Sequence, residues 1–99
     1  MLDIRKNQDG SKLEIFLEGR LDTITAPQLE EEVKAVIDDI TELIFDFSEL
    51  AYVSSAGLRV LLSSQKTMNE KGSMVVRNVS DEIQEIFDVT GFSDILTIE

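Results

Sequence analysis

The segment Leu43-Ile44-Phe45-Asp46-Phe47 constrains the fold more than any other part of the chain. It is short and almost continuously apolar, which is typical of a central strand in a parallel sheet that is covered on both faces. Parallel neighbours need a crossover connection, usually a helix. The segment therefore predicts an α/β fold with helices before and after this strand.

Helical periodicity does flank the segment. The first predicted helix begins at Thr25, which forms a candidate capping box with Gln28, and Pro27 is tolerated in its first turn. Its apolar stripe consists of Leu29, Val33, Val36, Ile37 and Ile40. A second helix is predicted from Ser55 to Lys71, ending at Gly72. Its inward residues are Leu58, Leu61, Leu62 and Met68.

Strand signals occupy both ends of the chain. A strand over residues 2–6, a turn over 7–10 and the alternating Leu13, Ile15 and Leu17 predict an opening hairpin. Residues 74–76 predict a fourth strand. After it, Ser80 caps a third helix that Gly91 terminates, and residues 95–98 predict a short final edge strand. The inward residues of the third helix are Ile83, Ile86 and Phe87.

This order predicts one domain over residues 1–99: a mixed sheet of four or five strands in a single layer, with an N-terminal hairpin and packed helices. Partner and ligand sites in such sheets lie beyond the carboxyl ends of the strands. Two loops meet that condition, residues 19–25 and residues 48–55.

Composition excludes several kinds of chemistry. The chain has no Cys and no His, so a disulfide framework, a thiol nucleophile, a Ser-His-Asp triad and a His-ligated zinc cannot be built. Its formal charge of −11 disfavours binding to nucleic acid and to anionic membranes. We expect neither a cofactor nor a metal. The N-terminus lacks the apolar centre of a signal peptide, which predicts a cytoplasmic protein.

The start of the second helix is the candidate site. Ser54 is placed to cap the helix, which leaves the hydroxyl of Ser55 free and pointing outward. Ala56 and Gly57 leave the backbone open to close approach. A phosphate on Ser55 would lie at the positive end of the helix dipole. The alternatives are that the serine pair only caps the helix and that Gly57 only allows close packing against a strand.

Two stretches resemble the STAS domain of bacterial anti-sigma factor antagonists. They are residues 43–62, which include Tyr52-Val53-Ser54-Ser55-Ala56-Gly57-Leu58, and Glu18-Gly19-Arg20-Leu21-Asp22-Thr23-Ile24-Thr25-Ala26. Their order and spacing fit the family, and the similarity extends from the first hairpin to Gly91-Phe92. The resemblance implies a STAS-like fold.

The resemblance also implies a function. The unphosphorylated protein binds an anti-sigma factor that is also a serine kinase, and this binding releases the sigma factor. Phosphorylation then abolishes the complex until a serine phosphatase removes the phosphate. The chain is thus implied to be a kinase substrate and not an enzyme, and we expect a monomer or a weak dimer.

Alignment on Gly57-Leu58 places the phosphorylated serine at Ser55. Ser54, where the family commonly has aspartate, is the alternative acceptor, and Ala56 replaces a common Ser or Thr. Asp22 matches an aspartate beside the modified serine, although it could merely satisfy the N–H groups of a turn. The partner-binding set implied by the resemblance is Arg20, Asp22, Thr23, Ser54, Ala56 and Gly57. Arg59 could frame the same surface, but a solvent-facing position on the helix explains it better.

Two other functions compete. One is a STAS scaffold or a transporter accessory subunit without a phosphorylation switch. The other is a carboxylate hydrolase that uses Glu31 or Asp46, which the absence of His and Cys makes the weaker hypothesis. The remaining acidic clusters on the first helix are best explained as a solvated face.

Overall fold

Four strands form one sheet whose spatial order equals their order in the chain, in a computed structural model that describes residues 2–99. They are β1 (Leu2–Asp9), β2 (Lys12–Leu21), β3 (Glu42–Val53) and β4 (Ser73–Arg77). β1 and β2 are antiparallel, whereas β2–β3 and β3–β4 are parallel. This confirms the mixed α/β sheet with an N-terminal hairpin, built from four strands.

The hairpin is longer than predicted. Pairing continues through polar residues to Asp9↔Lys12, because a backbone ladder needs no apolar side chains. Gly10 closes the turn at φ +62°, a conformation that favours glycine. Leu13, Ile15 and Leu17 are buried as expected and form one edge of the core.

The helices α1 (Ala26–Lys34), α2 (Ser55–Lys71) and α3 (Asp81–Thr90) all pack on one face of the sheet. The chain steps from β2 to β3 to β4 in one direction, and right-handed crossovers then place α1 and α2 on the same side. α3 joins them through Phe87, whose ring contacts Phe47 at 6.4 Å between centroids. Helices therefore cover one face of β3, whereas its apolar sequence predicted a strand covered on both faces. Ile44 points to the opposite face and is only 1% exposed between its register partners Glu14 and Val75.

α1 is shorter than its apolar stripe predicted. The helix ends at Lys34, and a 3₁₀ turn over Ile37–Asp39 follows. Ile40 is extended (φ −120°, ψ 152°) because the chain must enter β3 at Glu42. The capping role predicted for the Thr25 side chain is also wrong, since its hydroxyl forms no cap hydrogen bond.

α2 and α3 match the prediction closely. Ser54 caps α2 and Ser80 caps α3, and α3 ends at Gly91 in the left-handed conformation. Two predicted inward residues, Leu62 and Ile86, are only half-buried, while Val60 is buried beside α1.

β3 does not end at Phe47 but continues to Val53, so the predicted loop over residues 48–55 is mostly strand. Its second half pairs with the end of β2 across two register shifts, a bulged geometry that the apolar pattern did not reveal.

The final edge strand is reduced to a single parallel bridge between Val76 and Ile98. A 3₁₀ turn over Phe92–Asp94 precedes it, and Ile95 and Leu96 still donate their N–H groups to the Phe92 carbonyl, so the chain is not extended there. Among residues 2–99, no helix has both the length and the apolar content needed to cross a membrane.

Candidate functional site

The start of α2 presents two serines in different environments. Ser54 is half-buried at the N-cap, and its hydroxyl accepts a hydrogen bond from the Gly57 N–H at 3.4 Å. Ser55 is the first helical residue and is exposed. The side chain that the cap leaves free is therefore Ser55, the predicted acceptor, while the Ser54 hydroxyl is engaged.

A tightly bonded turn over residues 22–25 precedes α1. The Asp22 Oδ1 atom accepts from the backbone N–H groups of Ile24 (3.0 Å) and Thr25 (3.1 Å). The Thr25 hydroxyl accepts from the Asp22 N–H (2.8 Å) and donates to the Arg20 carbonyl (2.8 Å). Asp22 thus satisfies N–H groups of its own turn, which is the turn-stabilising alternative.

These hydrogen bonds change the acidity of Asp22. The N–H of Thr25 is the main reason that the pKa of the Asp22 carboxyl lies below its ordinary value of 3.8. Partial burial acts in the opposite direction, and the Ile24 N–H and the Thr25 hydroxyl strengthen the lowering. Asp22 is therefore a fixed negative charge near neutral pH.

The end of β2, which leads into the turn, is joined directly to the start of α2. The Ser54 N–H donates to the Leu21 carbonyl at 2.8 Å, and Leu21 pairs with Val53 in the parallel register. Both features therefore lie at the carboxyl ends of β2 and β3, where the fold predicted a site.

Arg20 and Tyr52 flank this edge of the sheet. They are register partners, and the Arg20 guanidinium lies over the Tyr52 ring, 4.4 Å from its centroid. The Arg20 Nε atom is 3.9 Å from the free Oδ2 atom of Asp22. Arg20 thus lies beside Asp22. Tyr52 was not predicted, because its segment was expected to be a loop.

A groove of about 180 Å³ runs between the turn and α2. Its walls come from the turn, the first part of α1 and the first part of α2: Thr23, Ala26, Pro27, Glu30, Ala56, Arg59 and Val60. Thr23 and Ala56 therefore face one shared depression beside Ser55. Arg59 is exposed on α2, as expected, but it also lines this groove.

Gly57 lies underneath this surface. It is buried, and a Cβ built there would be 2.7 Å from Leu21 Cγ and 2.9 Å from Val53 Cγ2. The geometry favours the packing alternative for Gly57, because α2 can approach the strands this closely only without a side chain.

Two further findings concern residues outside the predicted set. Ile24, at the tip of the turn, is 86% exposed; the only sequence signal for it was an isolated apolar residue inside a polar turn. The carboxylates of the hydrolase hypothesis do not meet: Glu31 lies on α1, and Asp46 points to the face of the sheet without helices. Within residues 2–99, no three His, Cys, Asp or Glu side chains cluster as metal ligands.

Comparison with known proteins points to the same family as the sequence resemblance. The family model for the STAS domain matches residues 3–99. The anti-sigma-B factor antagonist of Listeria monocytogenes is 35% identical over 97 residues, which is 95% of this chain and 84% of the relative.

Solved structures share the fold. A crystal structure of an anti-sigma factor antagonist from Mycobacterium paratuberculosis has a TM-score of 0.88 at 20% identity, covering 99% of this chain and 85% of that one. The Bacillus cell fate determinant SpoIIAA in its phosphorylated form has a TM-score of 0.78 at 19% identity, covering 98% and 91%.

Proposed function

The chain belongs to the STAS domain family, among its anti-sigma factor antagonists, and we propose that phosphorylation of Ser55 switches its binding to an anti-sigma factor off. In this proposal the unmodified chain binds an anti-sigma factor that is itself a serine kinase, and the sigma factor is released. The kinase transfers phosphate from ATP to Ser55, and a serine phosphatase resets the chain. The cycle takes place in the cytoplasm, and the chain is its substrate and not its catalyst.

The observation that carries the proposal is the exposed Ser55 beside an engaged Ser54. A kinase needs an accessible hydroxyl, and here the cap is already supplied by the neighbouring residue. The fold can therefore accept a phosphate on Ser55 without losing its helix cap, and the helix dipole favours that charge by about 1 kcal/mol.

The partner surface in this proposal consists of the groove and its margins. Arg20, Asp22 and Thr23 lie on the turn side, and Ser54 and Ala56 lie on the helix side. Gly57 contributes indirectly, because it sets how closely α2 approaches the strands.

Charge alone can supply most of the switch. Two added negative charges about 8 Å from one acidic group of the partner cost roughly 2 kcal/mol at an effective dielectric of about 40. A hundredfold loss of affinity requires only about 2.7 kcal/mol. Repulsion together with steric blocking therefore suffices, and no refolding is needed.

Serine variants test the proposal. Ser55→Ala should bind the anti-sigma factor of the source organism as tightly as the unmodified wild type, and should gain no mass when incubated with that kinase and ATP. Ser55→Asp should bind at least about tenfold more weakly, because it places a charge at the same point. Affinity is measured by titration calorimetry and phosphorylation by intact-mass spectrometry.

Ser54→Ala is the matched control. It removes the cap, at a cost of about 1 kcal/mol in the free energy of unfolding, but leaves the acceptor in place. This variant should still gain one phosphate. Equal binding by the Ala and Asp variants of Ser55, or loss of phosphorylation in Ser54→Ala alone, would contradict the proposal. Absence of phosphorylation in the wild type would favour a STAS scaffold or accessory subunit instead.

A further inference from the structure

Ile24 is more exposed than any other large apolar side chain of residues 2–99, with 86% of its surface in contact with solvent. Val89 follows at 78%, while Ile95 and Tyr52 are 44% and 37% exposed. Burying an isoleucine side chain gains about 1.5–3 kcal/mol of hydrophobic free energy. The fold alone does not gain this free energy from Ile24, because the side chain stays in contact with solvent.

The turn holds Ile24 in place. The Ile24 N–H donates to Asp22 Oδ1, and the adjacent Thr25 is buried and bonded to both Asp22 and the Arg20 carbonyl. A turn whose backbone is already ordered loses little further conformational entropy when a partner binds it. Ile24 is therefore prepared for binding.

Ile24 also lies on the turn that adjoins the start of α2, where Ser55 is exposed. Its neighbour Thr23 shares the groove with Ala56, which follows Ser55, and the Ser54–Leu21 hydrogen bond fixes the turn against α2. A partner close enough to sense Ser55 would extend over this turn. The stacked Arg20 and Tyr52 lie at the same edge, and both are residue types enriched at binding hot spots.

We propose that Ile24 is the apolar anchor of this surface, inserted into an apolar pocket on the anti-sigma factor. The inference rests on the proposed function. In that function Ser55 controls whether the partner binds, and Ile24 is added here as a contact that provides binding energy. Polar groups of Arg20, Asp22 and Thr23 form the rim around the anchor.

Two alanine variants of the full chain test the anchor. Ile24→Ala should bind the anti-sigma factor of the source organism roughly tenfold or more weakly than wild type, as expected for a hot-spot residue. Val89→Ala, the matched control, truncates an apolar side chain on α3 that is 78% exposed and should bind within about twofold. Both variants should keep the wild-type melting temperature, because neither side chain is in the core.

The proposal that Ile24 is an anchor would be contradicted if Ile24→Ala bound within about twofold of wild type. It would also be contradicted if Val89→Ala lost as much affinity as Ile24→Ala. The Ser55 variants separate this failure from that of the proposed function. If Ile24→Ala weakens binding while Ser55→Ala and Ser55→Asp bind alike, the anchor stands and the phosphorylation switch fails. If the unmodified wild type does not bind the anti-sigma factor, both proposals fall.

Discussion

At the scale of single residues, Asp22 has two roles that use different oxygen atoms. Its Oδ1 atom accepts two backbone N–H groups of the turn, and its Oδ2 atom faces Arg20 at 3.9 Å. The first role is local, and an aspartate before Thr-Ile-Thr is sufficient to indicate it. The contact with Arg20 depends on how β2 and β3 bring Arg20 and Tyr52 together, and no local sequence pattern predicts that arrangement.

Two variants of Asp22 separate its roles. Asp22→Asn keeps an oxygen that can accept the turn N–H groups, so its melting temperature should stay near that of wild type. Asp22→Ala removes the acceptor and should melt several degrees lower, because the half-buried Thr25 N–H loses its partner. If the negative charge itself contacts the anti-sigma factor, both variants should lose affinity equally in calorimetric titration. If instead only the variant with the lower melting temperature loses affinity, the role of Asp22 is to stabilise the turn.

The serine pair shows how much of the site could be predicted from the sequence. N-capping preferences assign different roles to Ser54 and Ser55, and the structure places them accordingly. The exposure of Ile24 could not be predicted in this way. An isolated apolar residue next to Ala26 and Leu29, both buried, is equally compatible with the edge of the core.

At the scale of elements, local signals were reliable where caps and periodicity agree. Ser54 and Gly72 bound α2, and Ser80 and Gly91 bound α3. Prediction of an element's end failed where residues outside that element determine it. α1 ends early because Ile40 must turn into β3, and β3 continues beyond Phe47 because the backbone of β2 offers a partner. Neither cause is present in the segment itself.

The contact between α2 and the strands gives a prediction at this scale. Gly57→Ala should lower the free energy of unfolding by about 1–3 kcal/mol, because the new methyl group meets Leu21 and Val53 at less than 3.0 Å. This cost should exceed the gain in helix propensity, which is at most about 1 kcal/mol. Urea denaturation measures the difference.

Ser63→Ala is the matched control for Gly57→Ala. Ser63 is exposed on the same helix, so alanine there gains propensity without a steric cost and should be neutral or stabilising by up to about 0.5 kcal/mol. A Gly57→Ala variant as stable as Ser63→Ala would show that the strands can move aside and that the close approach is not required.

At the scale of the whole molecule, the sheet has one face covered by helices and one face with charged side chains. On the second face, Asp46 accepts from the Ser48 N–H at 2.9 Å and from the Asn78 amide at 3.0 Å. Burial is the largest single influence on the pKa of Asp46 and raises it, but these hydrogen bonds and Arg77 together hold the pKa below 3.8. The pKa values of Asp22 and Asp88 are lowered as well.

Lowered carboxyl pKa values make stability depend on pH. The unfolded chain binds more protons near pH 4, so stability is fully present above the ordinary pKa and is lost as pH falls through the folded value. Asp46→Asn should be less stable than wild type at pH 7 by roughly 0.5 kcal/mol, since Asp46 is partly screened by solvent. The difference between the two proteins should shrink as the pH falls below 3.8, because Asp46 then takes up a proton.

Urea denaturation between pH 3 and pH 7 measures this convergence. Both proteins are strongly acidic, since the wild type carries −11 and the variant has one negative charge fewer, so the relief of self-repulsion by acid nearly cancels in the difference. Parallel stability curves for wild type and Asp46→Asn would contradict the assigned role of Asp46.

The agreement between strand order and chain order also bears on how the protein is made. During synthesis β1 and β2 leave the ribosome first and can close their hairpin alone, and β3 then meets an edge that already exists. β4 later adds to β3 in the same manner. No strand has to be inserted between two that are already paired, so the sheet can grow from one side at the pace of translation.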